Sequence, residues 1–83
     1  EDLRRVPFIR IRGYLFGFFS REPPYEPPHI HVKGKGGKAK LWLDPVRLVF
    51  STYTRSETHD IVEIVSEHQE RFVEMWREHF GDR

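Results

Sequence analysis

Cysteine is absent from this 83-residue chain. That excludes a disulfide framework, a thiol nucleophile and any Cys-type zinc site, and it fits a cytosolic protein. No apolar run approaches the ~20 residues needed to span a bilayer, and no signal-peptide pattern appears. A membrane partner is therefore not expected, and the location expected is cytoplasmic. Neither sign of charge dominates: 14 Lys and Arg face 13 Asp and Glu, for a net +1. The balance is uneven along the chain, however. Residues 1–43 carry nine basic and four acidic side chains, a net +5, and residues 44–83 carry five and nine, a net −4. Such a dipole steers an anionic partner to one side. Its structural counterpart is the solvated acidic face of a helix.

Aromatics, by contrast, are plentiful. Seven Phe, three Tyr and two Trp make up 14% of the residues, an efficient way for a short chain to fill a core. A chain of this length buries roughly 60–65% of its unfolded surface around one core, so residues 1–83 read as a single domain.

Periodicity supplies the elements. After a charged tail at residues 1–5, Phe8 to Arg12 alternates, with Ile9 and Ile11 on one side and Arg10 and Arg12 on the other. Gly13 turns the chain into a second strand, Tyr14 to Phe19. Its nearly continuous apolar character leaves the inward face open, and Gly17 suggests a bulge. Ser20 to Pro28 holds four prolines and reads as a stiff, extended loop. His29 to Lys33 and Lys38 to Leu43 form a hairpin across Gly34-Lys35-Gly36-Gly37. Asp44-Pro45 ends it, and Arg47 to Ser51 is a short fifth strand.

From Ser56 the period becomes 3.6. Ile61, Ile64, Val65, His68, Phe72, Met75, Trp76, His79 and Phe80 line one side of a helix over 57–80, with a bend allowed near Ser66-Glu67. Ser56 is the expected N-cap, Glu57 and Asp60 suit the positive end of the dipole, and Gly81 ends the helix. The fold expected is α+β: a small antiparallel sheet of four or five strands packed on one long C-terminal helix. Ile9, Ile11, Ile30, Val32, Leu41 and Leu43 supply the sheet side of the core.

The centre of the pattern is Glu26-Pro27-Pro28-His29-Ile30-His31-Val32. The prolines stiffen the lead-in, and the strand period sends both histidines to one face and Ile30 and Val32 to the other. If the strands pair in order, Arg10, Arg12, His29, His31, Lys33, Lys38, Lys40 and Trp42 share one exposed surface.

Three uses of that surface compete. Lys and Arg neutralise phosphates while Trp42 or Tyr14 stacks on bases, which describes nucleic-acid or other anion binding. His29 and His31 could together ligate a divalent metal, with Glu26, Asp44 or His59 as a third ligand, though no spacing demands one. The pair superficially resembles the histidine-triad motif of nucleotide hydrolases, but Lys33 stands where a third His is needed. The preferred use is a protein interface, to a small partner or a second copy. Phe8, Phe16, Phe18 and Trp42 look like too many rings for one side of a small core, and dimerisation would hide the edge strands. No Ser-His-Asp arrangement stands out, so the chain reads as a non-enzymatic module for which no cofactor is expected, a divalent metal being the alternative.

These residues carry a family resemblance. Arg10-Ile11-Arg12-Gly13-Tyr14, the Glu26 to Val32 motif, Ala39-Lys40-Leu41-Trp42-Leu43-Asp44-Pro45-Val46 and Trp76-Arg77-Glu78-His79-Phe80 together resemble a small bacterial family, domain of unknown function 4160. The resemblance implies a stand-alone α+β domain, attention to His29 and His31, and a place beside other small proteins in operons of toxin–antitoxin type. Ser20 to Tyr25 departs from the family in its proline content. The resemblance supplies no reaction.

Overall fold

The computed structural model describes residues 8–19 and 26–81. The charged tail at 1–5 and the loop Ser20 to Tyr25 lie outside them. Five strands form one antiparallel sheet in sequence order: β1 (Ile9–Ile11), β2 (Tyr14–Gly17), β3 (His29–Gly34), β4 (Gly37–Leu43) and β5 (Val46–Ser51). Two helices follow, α1 (Arg55–Glu67) and α2 (Gln69–Phe80).

The first two hairpins close through two-residue turns. Arg12 and Gly13 have φ of 53° and 86°, and Lys35 and Gly36 have 51° and 80°. Positive φ at both central positions is the turn whose twist matches that of paired strands. The third hairpin turns at Asp44-Pro45, whose peptide bond is cis.

Register decides the ambiguous second strand. Phe16 pairs with both Ile9 and Val32, so Phe16 points to the core side and Gly17 to the other. Gly17 marks no bulge. A Cβ there would lie 2.7 Å from the Phe8 ring, and glycine leaves room for that ring over the strand. The register shift of the sheet lies instead between β4 and β5, at Lys40 and Leu41.

Both helices cover one sheet face. Phe16, Ile30, Val32, Leu41 and Leu43 are buried there against Ile61, Ile64, Val65, Phe72 and Trp76. Phe16 stacks on Phe72 at 5.8 Å, and Phe18 meets Trp76 edge-on at 5.3 Å. Phe16 and Phe18 are thus core residues, not surplus rings, because α2 supplies an aromatic layer large enough to take them. Ile11 is half-buried and packs at the margin of this core.

The helical stretch is two helices rather than one. His68 sits between them at φ −108°, ψ 17°, with its Nδ1 2.8 Å from the Ile64 carbonyl that its own backbone N–H also reaches. Gln69 then donates from Nε2 to the Leu43 carbonyl at 2.9 Å, tying the start of α2 to the end of β4. The N-cap is Thr54, not Ser56. Thr54 Oγ1 accepts from the Glu57 backbone N–H at 3.1 Å, and Glu57 Oε1 accepts from the Thr54 N–H at 3.1 Å. This reciprocal capping box satisfies two otherwise orphan donors.

Candidate functional site

Opposite the helices, register lays the outward side chains in three rows. The first runs Arg10, Leu15, Lys33, Lys38. The second runs Gly17, His31, Lys40, Phe50, and the third His29, Trp42, Arg47. Arg10, Lys33, Lys38 and Arg47 are exposed, and His31, Lys40 and Trp42 are half-buried. Most of the expected surface is therefore assembled as the alternation implies.

Rings and cations are interleaved on it. Lys33 Nζ stands 4.1 Å over Phe8, and Lys40 Nζ stands 5.0 Å over Trp42, distances at which a cation is attracted to the ring quadrupole. Phe19, 52% exposed, lies 4.3 Å from the His31 ring. Lys40 also donates to Glu26 Oε1 at 2.9 Å. That hydrogen bond is the chief reason the Glu26 carboxyl titrates below its ordinary range, against a smaller opposing effect of burial. The charge of Lys40 is therefore largely answered within the fold, whereas Arg10, Lys33, Lys38 and Arg47 are, among the described residues, the exposed cations of the face.

Two expected members are placed elsewhere. Arg12, in its left-handed turn, points its guanidinium to the helix side, 3.7 Å from Glu63 and 3.8 Å from Glu67. It ties the β1–β2 turn to α1. His29 is fully buried, contrary to the exposed position expected of it. Its ring lies 5.1 Å from His31 and 5.8 Å from Trp42 on the open side, but also 4.7 Å from Trp76 on the helix side. At the start of β3 the Trp76 indole reaches the imidazole and closes it from solvent. Its Nδ1 is 2.9 Å from the Pro27 carbonyl. A carbonyl only accepts, so Nδ1 carries the proton and His29 anchors the proline lead-in.

Among the described residues no three His, Cys, Asp or Glu side chains stand together in a way that could hold an ion. His29 and His31 are neighbours, but the first has Nδ1 committed to Pro27 and 3.6 Å from Glu26 Oε1.

Two contributors are hidden from the residue pattern. Phe19 and Phe50 lie in apolar runs, and only pairing shows that Phe50 sits beside Lys40 on the open side. Glu26 was legible as part of the motif, but its partner lies 14 residues away.

Fold and face together define a small α+β domain with one sheet face covered by helices and the other presenting interleaved rings and cations. The chain belongs to the family described as domain of unknown function (DUF4160), whose model matches residues 13–77. No curated protein and no solved structure matches it. Among the described residues no helix is long and apolar enough to cross a membrane.

Proposed function

We propose that the protein is a non-enzymatic interaction module that contacts a protein partner through its open sheet face, as one component of a toxin–antitoxin-type pair. The observation carrying this reading is the ring cluster on that face. Phe8, Phe19, Trp42 and Phe50 lie on the side the helices leave uncovered, with Phe19 and Phe50 at 52% and 43% exposure. Aromatic side chains rimmed by cations are the composition that dominates binding energy at protein interfaces. Trp42, half-buried between His29 and Lys40, is a pre-ordered anchor that loses little freedom on binding.

Affinity purification of tagged wild type and Trp42→Ala, with the bound material measured by quantitative mass spectrometry, tests the proposal. A specific polypeptide that is depleted at least tenfold with Trp42→Ala supports it. Equal recovery with both proteins sinks it.

One observation favours a second reading, RNA or another polyanion. Arg10, Lys33 and Lys38 lie in one cross-strand row. Binding of that kind weakens steeply with salt, with a slope set by the number of phosphates neutralised. Titrating single-stranded RNA at 50 and 200 mM salt separates the two readings, since the protein interface tolerates that change far better.

A further inference from the structure

The two edges of the sheet are built differently. β1 is three residues long and carries Arg10 at its centre, a short charged edge of the kind that discourages pairing. β5 is six residues long, about 20 Å at ~3.3 Å per residue, and closes the opposite end of the sheet. Its centre, Leu48, Val49 and Phe50, is apolar and 40–43% exposed. No Lys or Pro interrupts it. Among the described residues, its protections are one charge near its start, Arg47, and the register shift opposite Lys40 and Leu41.

We infer that the outer edge of β5, unpaired among the described residues, receives an extended polypeptide segment by strand addition, with apolar side chains toward the helices and acidic ones toward the open face. This rests on the protein-binding reading above and names the partner's chemistry. Strand addition supplies affinity through main-chain hydrogen bonds and specificity through alternate side chains. The two faces are set by register, with the simple alternation broken at Val49 by the register shift. Leu48 pairs with the buried Leu41, which places it on the helix side, and Phe50 and Arg47 pair with Lys40 and Trp42, which places them on the open side. An incoming strand continues those two faces.

Charge selects the acidic side. Next to the edge on the open face stand Arg47 and Lys38, both exposed. Glu26 on that face is engaged by Lys40, and Glu57, Glu63 and Glu67 are engaged by Thr54 and Arg12. Asp44, exposed in the β4–β5 turn, is a carboxylate at the near end. A second copy of this chain suits the edge less well. Antiparallel pairing of two β5 strands about a two-fold axis turns both open faces the same way, and the Arg47 and Lys38 of one copy join those of the other. Like charges brought together in this way count against that association.

The probe is a hexapeptide alternating glutamate and valine, set against its lysine–valine counterpart, each titrated into the whole protein and followed by amide NMR and hydrogen exchange. The acidic peptide is expected to bind at least tenfold more tightly at low salt and to slow exchange at β5 amides. Arg47→Glu should remove that preference, and Val49→Lys, an exposed position, should abolish binding while leaving the spectrum of the core unchanged. Equal binding of the two peptides, or no protection at β5, overturns the inference. So does concentration-dependent protection of β5 without peptide, which would assign the edge to a second copy. If a partner still depends on Trp42 while β5 amides exchange freely, strand addition fails and the open-face reading stands. If the partner responds to neither Trp42→Ala nor Val49→Lys, both fail.

Discussion

The imidazole of His29 lies 4.7 Å from the indole of Trp76, with the two ring planes inclined at 56°. This one contact joins the start of β3 to the last turns of α2 and turns half of the histidine pair into a core residue. His29→Ala removes it together with the hydrogen bond to Pro27, so a cavity and a lost buried partner add. The expected cost is about 2–4 kcal/mol, or roughly 10–25 °C in Tm for a domain of this size. His31→Ala, at a half-buried position, should cost less than half as much. Thermal and urea denaturation of the two variants measures the difference, and equal losses would refute the assignment.

Helix capping gives a second comparison. Thr54→Ala deletes the side chain that accepts from Glu57 N and should cost about 1 kcal/mol. Ser56→Ala, one residue into the exposed first turn, should stay within about 0.5 kcal/mol of wild type. Urea midpoints at constant slope check both.

Gly37→Ala tests the packing of the loop that joins sheet to helix. A Cβ there would lie 2.6 Å from the Tyr53 ring and 3.0 Å from Thr52 Oγ1. Tyr53 is held from behind by its hydroxyl, which donates to the Gly34 carbonyl at 2.8 Å, and by an edge contact with Tyr14 at 5.5 Å. The ring has little room to retreat, so overpacking should cost about 1–3 kcal/mol. Adding Gly37→Ala to a Tyr53→Ala background should cost measurably less, a non-additivity expected of residues in contact.

The Glu26–Lys40 pair makes stability depend on acid. The hydrogen bond from Lys40, with the charges of Lys40, His29 and His31 behind it, holds the folded-state pKa of Glu26 below its ordinary 4.5, outweighing burial. A depressed carboxyl contributes stability that is fully present above the unfolded value and is lost as pH falls through the folded one. The stability gap between wild type and Glu26→Gln should therefore be constant near neutrality and close progressively below about pH 4.5. A gap that is flat down to pH 2, measured by urea titration, would contradict the pairing.

Much of this architecture is legible in the residue pattern. Alternation from Phe8 onward and from His29 to Leu43 marks strands, and the change of period after Thr54 marks helix. The hidden parts are tertiary. Nothing local in Tyr14 to Phe19 says which face is inward, because rings occupy both parities, and the answer comes from the pairing of Phe16 with Val32. Alternation puts His29 with Trp42 and His31, yet the reach of Trp76 from 47 positions downstream closes it from solvent. The cap is a different case. Thr54 followed three residues later by Glu57 is a recognisable capping box, and Ser56 has no such partner at His59. The break at His68 depends on Gln69 finding the Leu43 carbonyl, a contact no helical period encodes. Arg12 leaves the open face because a turn with positive φ does not obey strand alternation.

The open sheet face is proposed to bind a protein. Native mass spectrometry of the protein isolated gently from its own cells, wild type beside Trp42→Ala, tests it most directly. A discrete added polypeptide mass is expected on the wild type and is expected to be absent from the Trp42→Ala spectrum. A wild-type spectrum showing the chain with one metal ion or with oligonucleotide in place of a polypeptide would contradict it, as would a polypeptide complex that survives the loss of Trp42.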